Sequence, residues 1–147
     1  MDFLILDLQK SRVCGDNLMI KHQLLDDDSI IVTTLSGNVS FSDCEDCFNV
    51  VDDFLVKNEF AMVYWVVDAK DSFMTYGDFI KFIEATNNGL LAMADARITP
   101  LFVTTDESHE YLLAEFKNRY NWTQFPKFDT VDDAVSFAQY ISLLQLV

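Results

Sequence analysis

The sequence predicts an α/β domain with a mixed, mostly parallel sheet covered by helices. Three observations lead to this fold class. Residues 60–67 (FAMVYWVV) are apolar at every position, which is typical of a central parallel strand buried on both faces. Segments with helical spacing alternate with segments of strand character along the chain. Two further strand patterns, separated by three aspartates, precede them and predict an antiparallel hairpin.

The first part of the predicted domain holds the hairpin and one amphipathic helix. Segments 19–25 (MIKHQLL) and 29–37 (SIIVTTLSG) have strand composition and are joined by an acidic turn, so we expect them to pair. Within 38–58, Ser40 and Asp43 have the spacing of a capping box at a helix start. Apolar side chains then follow at helical spacing, at Cys44, Cys47, Phe48, Val51, Phe54 and Leu55.

The middle of the chain continues the alternation. After the buried strand, which we expect to end at Asp68, a helix is predicted over 75–96, and Gly89 either ends or kinks it. The next strand, 97–105 (RITPLFVTT), contains Pro100. Because proline has no N–H to donate to a neighbouring strand, this strand is predicted to lie at an edge or to carry a bulge.

The C-terminal part is predicted to be mainly helical. Residues 106–120 place leucines and aromatic side chains on one helical face. A second helix is predicted over 130–144, with Thr130 and Asp133 at its capping positions. A short strand is expected near 125–128.

Length and composition predict a single domain. The chain has 147 residues, of which 50% are hydrophobic, so it can bury a core of its own, and no linker-like or repeated segment interrupts it. Residues 1–18 have no clear period and are predicted to be an N-terminal extension or an extra edge strand. The domain itself is predicted over 19–147, and Met19 is an alternative start.

The charge of the chain limits its partners. Asp and Glu number 24 against 10 Lys and Arg, which gives a formal net charge of −14. A field of this sign repels phosphates and anionic lipids, so we expect no nucleic-acid binding and no electrostatic membrane binding. A protein partner with a basic surface fits this charge, as does simple solubility. Three cysteines without a secretory signal pattern predict the cytoplasm.

The pattern Cys-x-x-Cys at Cys44 and Cys47 is the one candidate for metal or redox chemistry. A zinc site needs further ligands, and the chain offers only Cys14, His22 and His109 outside this pattern as soft or imidazole ligands. Both thiols lie on the apolar stripe of the predicted helix, so we interpret them as small core residues. His109 is given a structural or solvent-edge role. No metal and no cofactor are predicted.

The stretch 66–79 (VVDAKDSFMTYGDF) places hydroxyl groups between a strand end and a helix start. Ser72 or Thr75 is expected to cap the helix by accepting a backbone N–H. Phosphorylation is the alternative, because a phosphate is favoured at a helix N-terminus, although the neighbouring aspartates oppose it. A nucleophile elbow would need Gly-x-Ser-x-Gly, which the stretch lacks. We therefore predict no enzyme activity.

The order of elements, together with a few residues, resembles a known family. The order comprises the hairpin, a capped helix, a buried strand ending in Asp, a helix, RITPLFVTT, a helix and a final helix that follows a Phe. It is similar to the STAS (anti-sigma factor antagonist-like) superfamily, in particular to its SpoIIAA-like branch of small bacterial proteins, over about residues 19–144. The matching positions are Gly37, Ser40, Asp43, Phe128 and Ala134.

The resemblance implies a domain of β–α units with a non-enzymatic role in regulation or protein binding. It also implies that the helix start near Gly77 is functional, because signalling members of the superfamily carry a phosphorylated serine there within Asp-Ser-Gly. In this chain Thr75 and Tyr76 stand at the Asp-Ser positions, so that serine switch is missing. The candidate partner-binding or phosphoacceptor region comprises Asp68, Ser72, Phe73, Thr75 and Tyr76.

The aromatic content keeps a second function open. The chain has 13 Phe, five Tyr and two Trp, and those within 73–82 and 122–128 are candidates to line a groove. The alternative function is therefore a carrier or sensor of an apolar small molecule or lipid, with membrane association. A homodimer is compatible with the sequence, but no pattern argues for it.

Overall fold

The strands of the described residues form one six-stranded sheet in the order of the chain. The structure is a computed structural model, and it describes residues 3–6, 18–25, 29–58, 62–87, 97–107, 109–110, 114 and 127–145. The strands are β1 Phe3–Leu6, β2 Met19–Leu25, β3 Ile30–Asn38, β4 Val63–Phe73, β5 Ile98–Val103 and β6 Lys127–Phe128. The helices are α1 Phe41–Lys57, α2 Tyr76–Asn87 and α3 Val131–Gln145.

The pairing of the strands confirms the predicted fold class. Strands β1 and β2 are antiparallel, and so are β2 and β3, which form the predicted hairpin. From β3 onward each strand is parallel to the next. Helices α1 and α2 connect successive parallel strands, as expected for β–α units. The chain is thus a mixed, mostly parallel α/β domain.

Strand β4 is buried on both faces, as its apolar sequence predicted. Trp65 and Val67 belong to the core that packs against α1, whereas Tyr64 and Val66 belong to the core that packs against α3. Alternate side chains of a strand point to opposite faces, so both rows of this strand are covered by helices. Val63 also has no exposed surface.

The end of β4 was predicted wrongly. The polar residues after Val67 suggested an end at Asp68, but the strand continues to Phe73, where it pairs with Asn38 of β3. Strand β5 accompanies β4 only as far as Asp68. Polar side chains fit this extension because it is only partly buried. The backbone of β3 supplies the hydrogen bonds of this extension. A local sequence pattern gives no information on such pairing.

The caps predicted from the sequence are present. Ser40 Oγ accepts the N–H of Asp43 at 3.2 Å, and the Asp43 carboxylate accepts the N–H of Ser40 at 2.9 Å, which completes the capping box of α1. Thr130 Oγ1 accepts the N–H of Asp133 at 3.1 Å at the start of α3. Gly37 has a φ of 92°, a left-handed conformation that favours glycine.

Pro100 lies where β5 has an open side, as predicted. Strand β6 pairs with β5 only at Phe102 and Val103. Within the described residues, Pro100 therefore has a strand neighbour on the β4 side alone. The predicted short strand near 125–128 corresponds to β6.

Part of the predicted helical content lies outside the described residues. Helix α2 is described to Asn87, and the predicted extension to residue 96 is not. Of the helix predicted over 106–120, residues 106 and 107 are described and are not helical, whereas 109, 110 and 114 are helical. No helix in the described part is long and apolar enough to cross a membrane.

A buried chain of hydrogen bonds joins β2, β3 and β4. Trp65 Nε1 donates to Thr33 Oγ1 at 2.8 Å, and Thr33 Oγ1 lies 2.8 Å from Nδ1 of His22. Because the indole is a donor only, the Thr33 oxygen accepts from Trp65, and the same hydroxyl is hydrogen-bonded to His22. Burial lowers the pKa of His22 to about 4, so the imidazole is neutral near pH 7.

The burial of His22 makes stability depend on pH. Its pKa is about 4 in the folded state against 6.5 ordinarily, so the stability is present above pH 6.5 and is lost as the pH falls toward 4. Between about pH 7 and pH 5, we expect the free energy of unfolding of the wild type to fall by about 2 kcal/mol more than that of His22→Gln. Urea unfolding at both pH values measures this, and equal losses would contradict it.

The described N-terminal residues contribute an edge strand and a buried side chain. Strand β1 pairs with β2 at the sheet edge, while Leu18 is buried in the core beside α1. We expect a chain that lacks residues 1–17 and retains Leu18 to fold, because both cores lie on β2 to β5 and the helices. Cooperative urea unfolding of the truncated chain, beside the full chain, is the measurement. A non-cooperative transition would show that β1 is essential.

Candidate functional site

The candidate site lies at the sheet edge where β3 and β4 end and where α1 and α2 begin. The two strand ends are joined by a hydrogen bond from the N–H of Val39 to the carbonyl of Phe73, at 2.7 Å. In parallel sheets the carboxyl ends of strands and the N-termini of the following helices meet at one edge, where binding sites commonly form. The candidate residues from the sequence are on β4, on the short connection to α2 or, for Tyr76, at the first position of α2.

Thr75 caps α2, one of the two alternatives that the sequence left open for the helix start. Its Oγ1 accepts the N–H of Asp78 at 3.2 Å and donates to the Asp78 carboxylate at 2.8 Å. The hydroxyl is therefore engaged in both directions. Ser72 does not cap the helix, because it lies within β4 and its Oγ donates to the carbonyl of Ala69 at 2.9 Å.

Asp78 connects the starts of the two helices. One oxygen of its carboxylate accepts the hydroxyl of Thr75, and the other accepts the N–H of Phe41, the first residue of α1, at 3.1 Å. These two hydrogen bonds lower the pKa of Asp78, and the bond from Thr75 has the larger effect. The ionised carboxylate thus serves both helix N-termini, where a negative charge is favourable.

Two aromatic rings stand out from this edge. Phe73, the last residue of β4, is 59% exposed, and Tyr76, the first residue of α2, is 77% exposed. We call these two residues the aromatic pair. Met74, which follows Phe73 in the sequence, is half-buried and packs against the core beside α1. Neighbours in the connection between β4 and α2 therefore point in different directions.

Exposed carboxylates lie on the same edge of the sheet as the aromatic pair. Asp71 is exposed on β4, and Asp106 and Glu107 are exposed in the connection that follows β5. Asp68 is largely covered within β4 rather than at its end, and it pairs with Lys70 at 3.9 Å. Lys127 likewise contacts Glu110, so two of the nearby cations already have acidic partners. The edge is therefore predominantly acidic.

His109 is the residue of this edge that sequence reasoning did not place there. It is 8% exposed, and its ring lies between the end of β4 and the connection after β5. The structural role given to it from the sequence is consistent with this burial. Its contact with Ser72 joins residues 37 positions apart, so no local pattern indicates it.

The Cys-x-x-Cys pattern lies in the core. Cys47 is 4% exposed within the core beside α1, and Cys44 packs against the same core. Burial raises the pKa of the Cys44 thiol, and the neighbouring Cys47 and Asp43 make smaller contributions in the same direction. A protonated thiol is a poor nucleophile and a poor metal ligand. Within the described ranges, no three His, Cys, Asp or Glu residues are grouped to hold a metal ion.

A concavity of about 180 Å³ lies between β2 and α1, away from the aromatic pair. It is open to solvent and combines apolar and acidic side chains, and the residues that line it are Ile20, His22, Asp46, Cys47, Asn49, Val50 and Asp53. Two aspartates at its wall do not suit an acyl chain.

Comparison with known proteins places this geometry among solved structures. No protein-family model matches the chain, and no curated protein sequence matches it. An anti-sigma factor antagonist from Mycobacterium paratuberculosis is similar over 86% of this chain and 97% of its own, with a TM-score of 0.53 and 16% identity. An uncharacterized protein of the DUF3478 family from Shewanella loihica PV-4, described as having a SpoIIAA-like fold, covers 86% of this chain and 98% of its own, with a TM-score of 0.56 and 13% identity.

The chain has the SpoIIAA-like fold. The resemblance inferred from the sequence is thereby confirmed at the level of the fold. At these identities the similarity concerns architecture, and the residues of the site must be argued from this chain. The SpoIIAA-like fold explains why Ser40 and Thr75 hold equivalent places, because each caps a helix that follows a parallel strand.

The core position of the two cysteines predicts how their removal acts. We expect Cys44→Ala combined with Cys47→Ala to lower the free energy of unfolding by about 1–2 kcal/mol, because apolar contacts are lost, and to leave the metal content unchanged. Urea unfolding and elemental analysis measure the two effects. The matched control is Glu45→Ala on the exposed side of α1. Stoichiometric zinc in the wild type that disappears in the double variant would contradict this interpretation.

Proposed function

We propose that this protein is a non-enzymatic regulatory domain that binds a protein partner through the aromatic pair and the acidic edge around it. The observation that carries the proposal is the exposure of Phe73 and Tyr76 at the edge where β3 and β4 end. Its architecture supports the proposal, because a similar structure is that of an anti-sigma factor antagonist, which by its name acts on a protein.

The aromatic pair has the chemistry of an interface centre. Aromatic side chains are enriched among the residues that contribute most to protein–protein binding, because they bury a large area with few rotatable bonds. Ile80, one turn after Tyr76 in α2, is also partly exposed and extends the apolar area along the helix. The backbone beneath the pair is hydrogen-bonded to β3, so the pair is presented by an ordered edge.

The charges near the pair suit a partner with a basic surface. Asp71, Asp106 and Glu107 are exposed around the edge, and the net charge of the chain is −14. Opposite charges at the rim of an interface speed association and exclude acidic partners, and salt screens both effects. Raised salt should therefore slow association more than it speeds dissociation.

Three hydroxyls of the region are candidate phosphoacceptors. The Thr75 hydroxyl holds Asp78 in the cap of α2, so phosphorylation there would break both hydrogen bonds and place a phosphate beside a carboxylate. The Ser72 hydroxyl donates to Ala69 within β4. Tyr76 is the most exposed of the three residues. A phosphate on any of them would add negative charge to an edge that is already acidic, and the neighbouring carboxylates would oppose that charge.

A hydroxyl and an imidazole lie close together at this edge, but their burial argues against catalysis. Thr104 Oγ1 is 2.6 Å from Nδ1 of His109, a distance that suits a nucleophile and its base. Thr104 is only 1% exposed, and its Oγ1 also accepts the N–H of Asp106 at 3.1 Å. A substrate cannot reach this oxygen, so we assign the pair a structural role.

The carrier alternative gains no support from the comparisons. Both faces of the sheet are filled by side chains that pack against helices. The described concavity between β2 and α1 is small and has two aspartates at its wall. We therefore propose protein binding alone, in the cytoplasm, where reduced thiols such as that of Cys44 persist.

The proposal predicts that the aromatic pair is required for binding. We expect Phe73→Ala combined with Tyr76→Ala to weaken partner binding at least about tenfold, because truncated interface centres typically lose more than one kcal/mol each. The partner is first captured from native cell extract on immobilised wild-type protein, and its affinity is then measured with purified components. Both side chains are exposed, so the variant should unfold like the wild type.

The matched control is Tyr140→Ala combined with Leu144→Ala, which removes two exposed apolar side chains from α3. This control should bind the captured partner like the wild type. Equal affinity of the wild type and the Phe73/Tyr76 variant would refute the proposed surface.

A further inference from the structure

His109 replaces a strand beside the last residues of β4. Strand β5 pairs with β4 only up to Asp68, although β4 continues to Phe73. On the opposite side β3 accompanies β4 to its end. On the side that β5 leaves, Nε2 of His109 lies 3.1 Å from the carbonyl oxygen of Ser72. The imidazole thus satisfies a backbone acceptor at a level of the sheet that β5 does not reach.

The hydrogen bonds of His109 determine its tautomer. The Ser72 carbonyl can only accept, so Nε2 carries the proton. In the neutral ring Nδ1 is then an acceptor, and the Thr104 hydroxyl, 2.6 Å away, donates to it. Thr104 Oγ1 in turn accepts the N–H of Asp106 at 3.1 Å. Each donor along this chain has an acceptor, so the ring is held at both nitrogens.

The carbonyl that His109 holds belongs to the peptide leading directly into Phe73. The carbonyl of Phe73 itself accepts the N–H of Val39 at 2.7 Å from the other side. The peptides before and after this residue are therefore each fixed by a different neighbour. Because the Phe73 ring is 59% exposed, the core constrains it little, and its direction depends on this backbone.

We infer that His109 is a positioning residue for the partner surface: it orients Phe73 through the Ser72 carbonyl and fixes the acidic connection after β5 beside it through Thr104. The second contact matters because Asp106 and Glu107 lie in that connection and are exposed. The inference rests on the proposed function for its biological meaning, whereas the positioning itself is a property of the isolated protein.

The first test measures local order without any partner. In His109→Leu, we expect amide hydrogen exchange of residues 72–75 to accelerate about fivefold or more, because one hydrogen bond that holds this backbone is lost. His109→Gln should restore much of the protection, since its side-chain amide supplies a donor close to the position of Nε2. The control is His22→Leu, which removes the other buried histidine, in β2, and should leave 72–75 protected.

A second measurement uses the wild type and needs no substitution. The nitrogen chemical shifts of the His109 ring should show a proton on Nε2, the nitrogen that faces the Ser72 carbonyl. The opposite tautomer would overturn the inference, as would unchanged exchange at 72–75 in a folded His109→Leu protein. If His109→Leu does not fold, the inference is tested by the tautomer of the wild type and by hydrogen exchange in His109→Gln. A proton on Nε2 and protected amides at 72–75 would support it, and the opposite results would overturn it.

The last test concerns the partner. His109→Leu should bind it about fivefold more weakly, and His109→Gln should recover most of the affinity. Loss of local order with unchanged affinity would overturn the inference as it applies to the partner surface. If the Phe73/Tyr76 variant also binds normally, the proposed function fails, and the exchange data still show whether His109 orders the end of β4.

Discussion

The hydrogen bonding of β4 is the constraint on which the rest of the structure depends. This strand has neighbouring strands on both sides and helices on both faces. Over Val63 to Val67 its backbone is therefore hydrogen-bonded, and its apolar side chains are buried. Burial of this kind is possible only in a sheet with helical layers, because water cannot serve the backbone there. The parallel order of β3, β4 and β5, with α1 on one face and α3 on the other, follows from that requirement.

Strand β4 is longer than the neighbour that follows it, and this mismatch creates the candidate site. Beyond Asp68, β3 is the one described strand beside β4. On the open side, the ring of His109 is hydrogen-bonded to the carbonyl of Ser72. The same edge contains the N-termini of α1 and α2, which share the carboxylate of Asp78. Strand end, helix starts and a buried histidine thus form one hydrogen-bonded edge that carries the exposed aromatic pair.

Charge and shape act together at this edge. The aromatic pair offers apolar area, while the exposed acids around it restrict the partners that can approach. The carboxylates closest to the backbone have structural duties, since Asp43 and Asp78 accept N–H groups at helix starts. The more distant ones on β4 and after β5 are exposed at the surface of the edge.

The sequence alone determined the features that depend on neighbours along the chain. The Ser40–Asp43 capping box, the β2–β3 hairpin and the buried start of β4 were all predicted, because capping distances and side-chain periods are local properties. The order of these elements also indicated the SpoIIAA-like fold.

The extent of β4, the inward direction of Met74 and the contact of His109 with Ser72 could be seen in the tertiary structure alone. Each of these depends on a residue or backbone group far away in the sequence. A strand of polar residues is stable where a neighbouring strand supplies hydrogen bonds, and a histidine becomes a positioning residue only where folding brings a carbonyl to it.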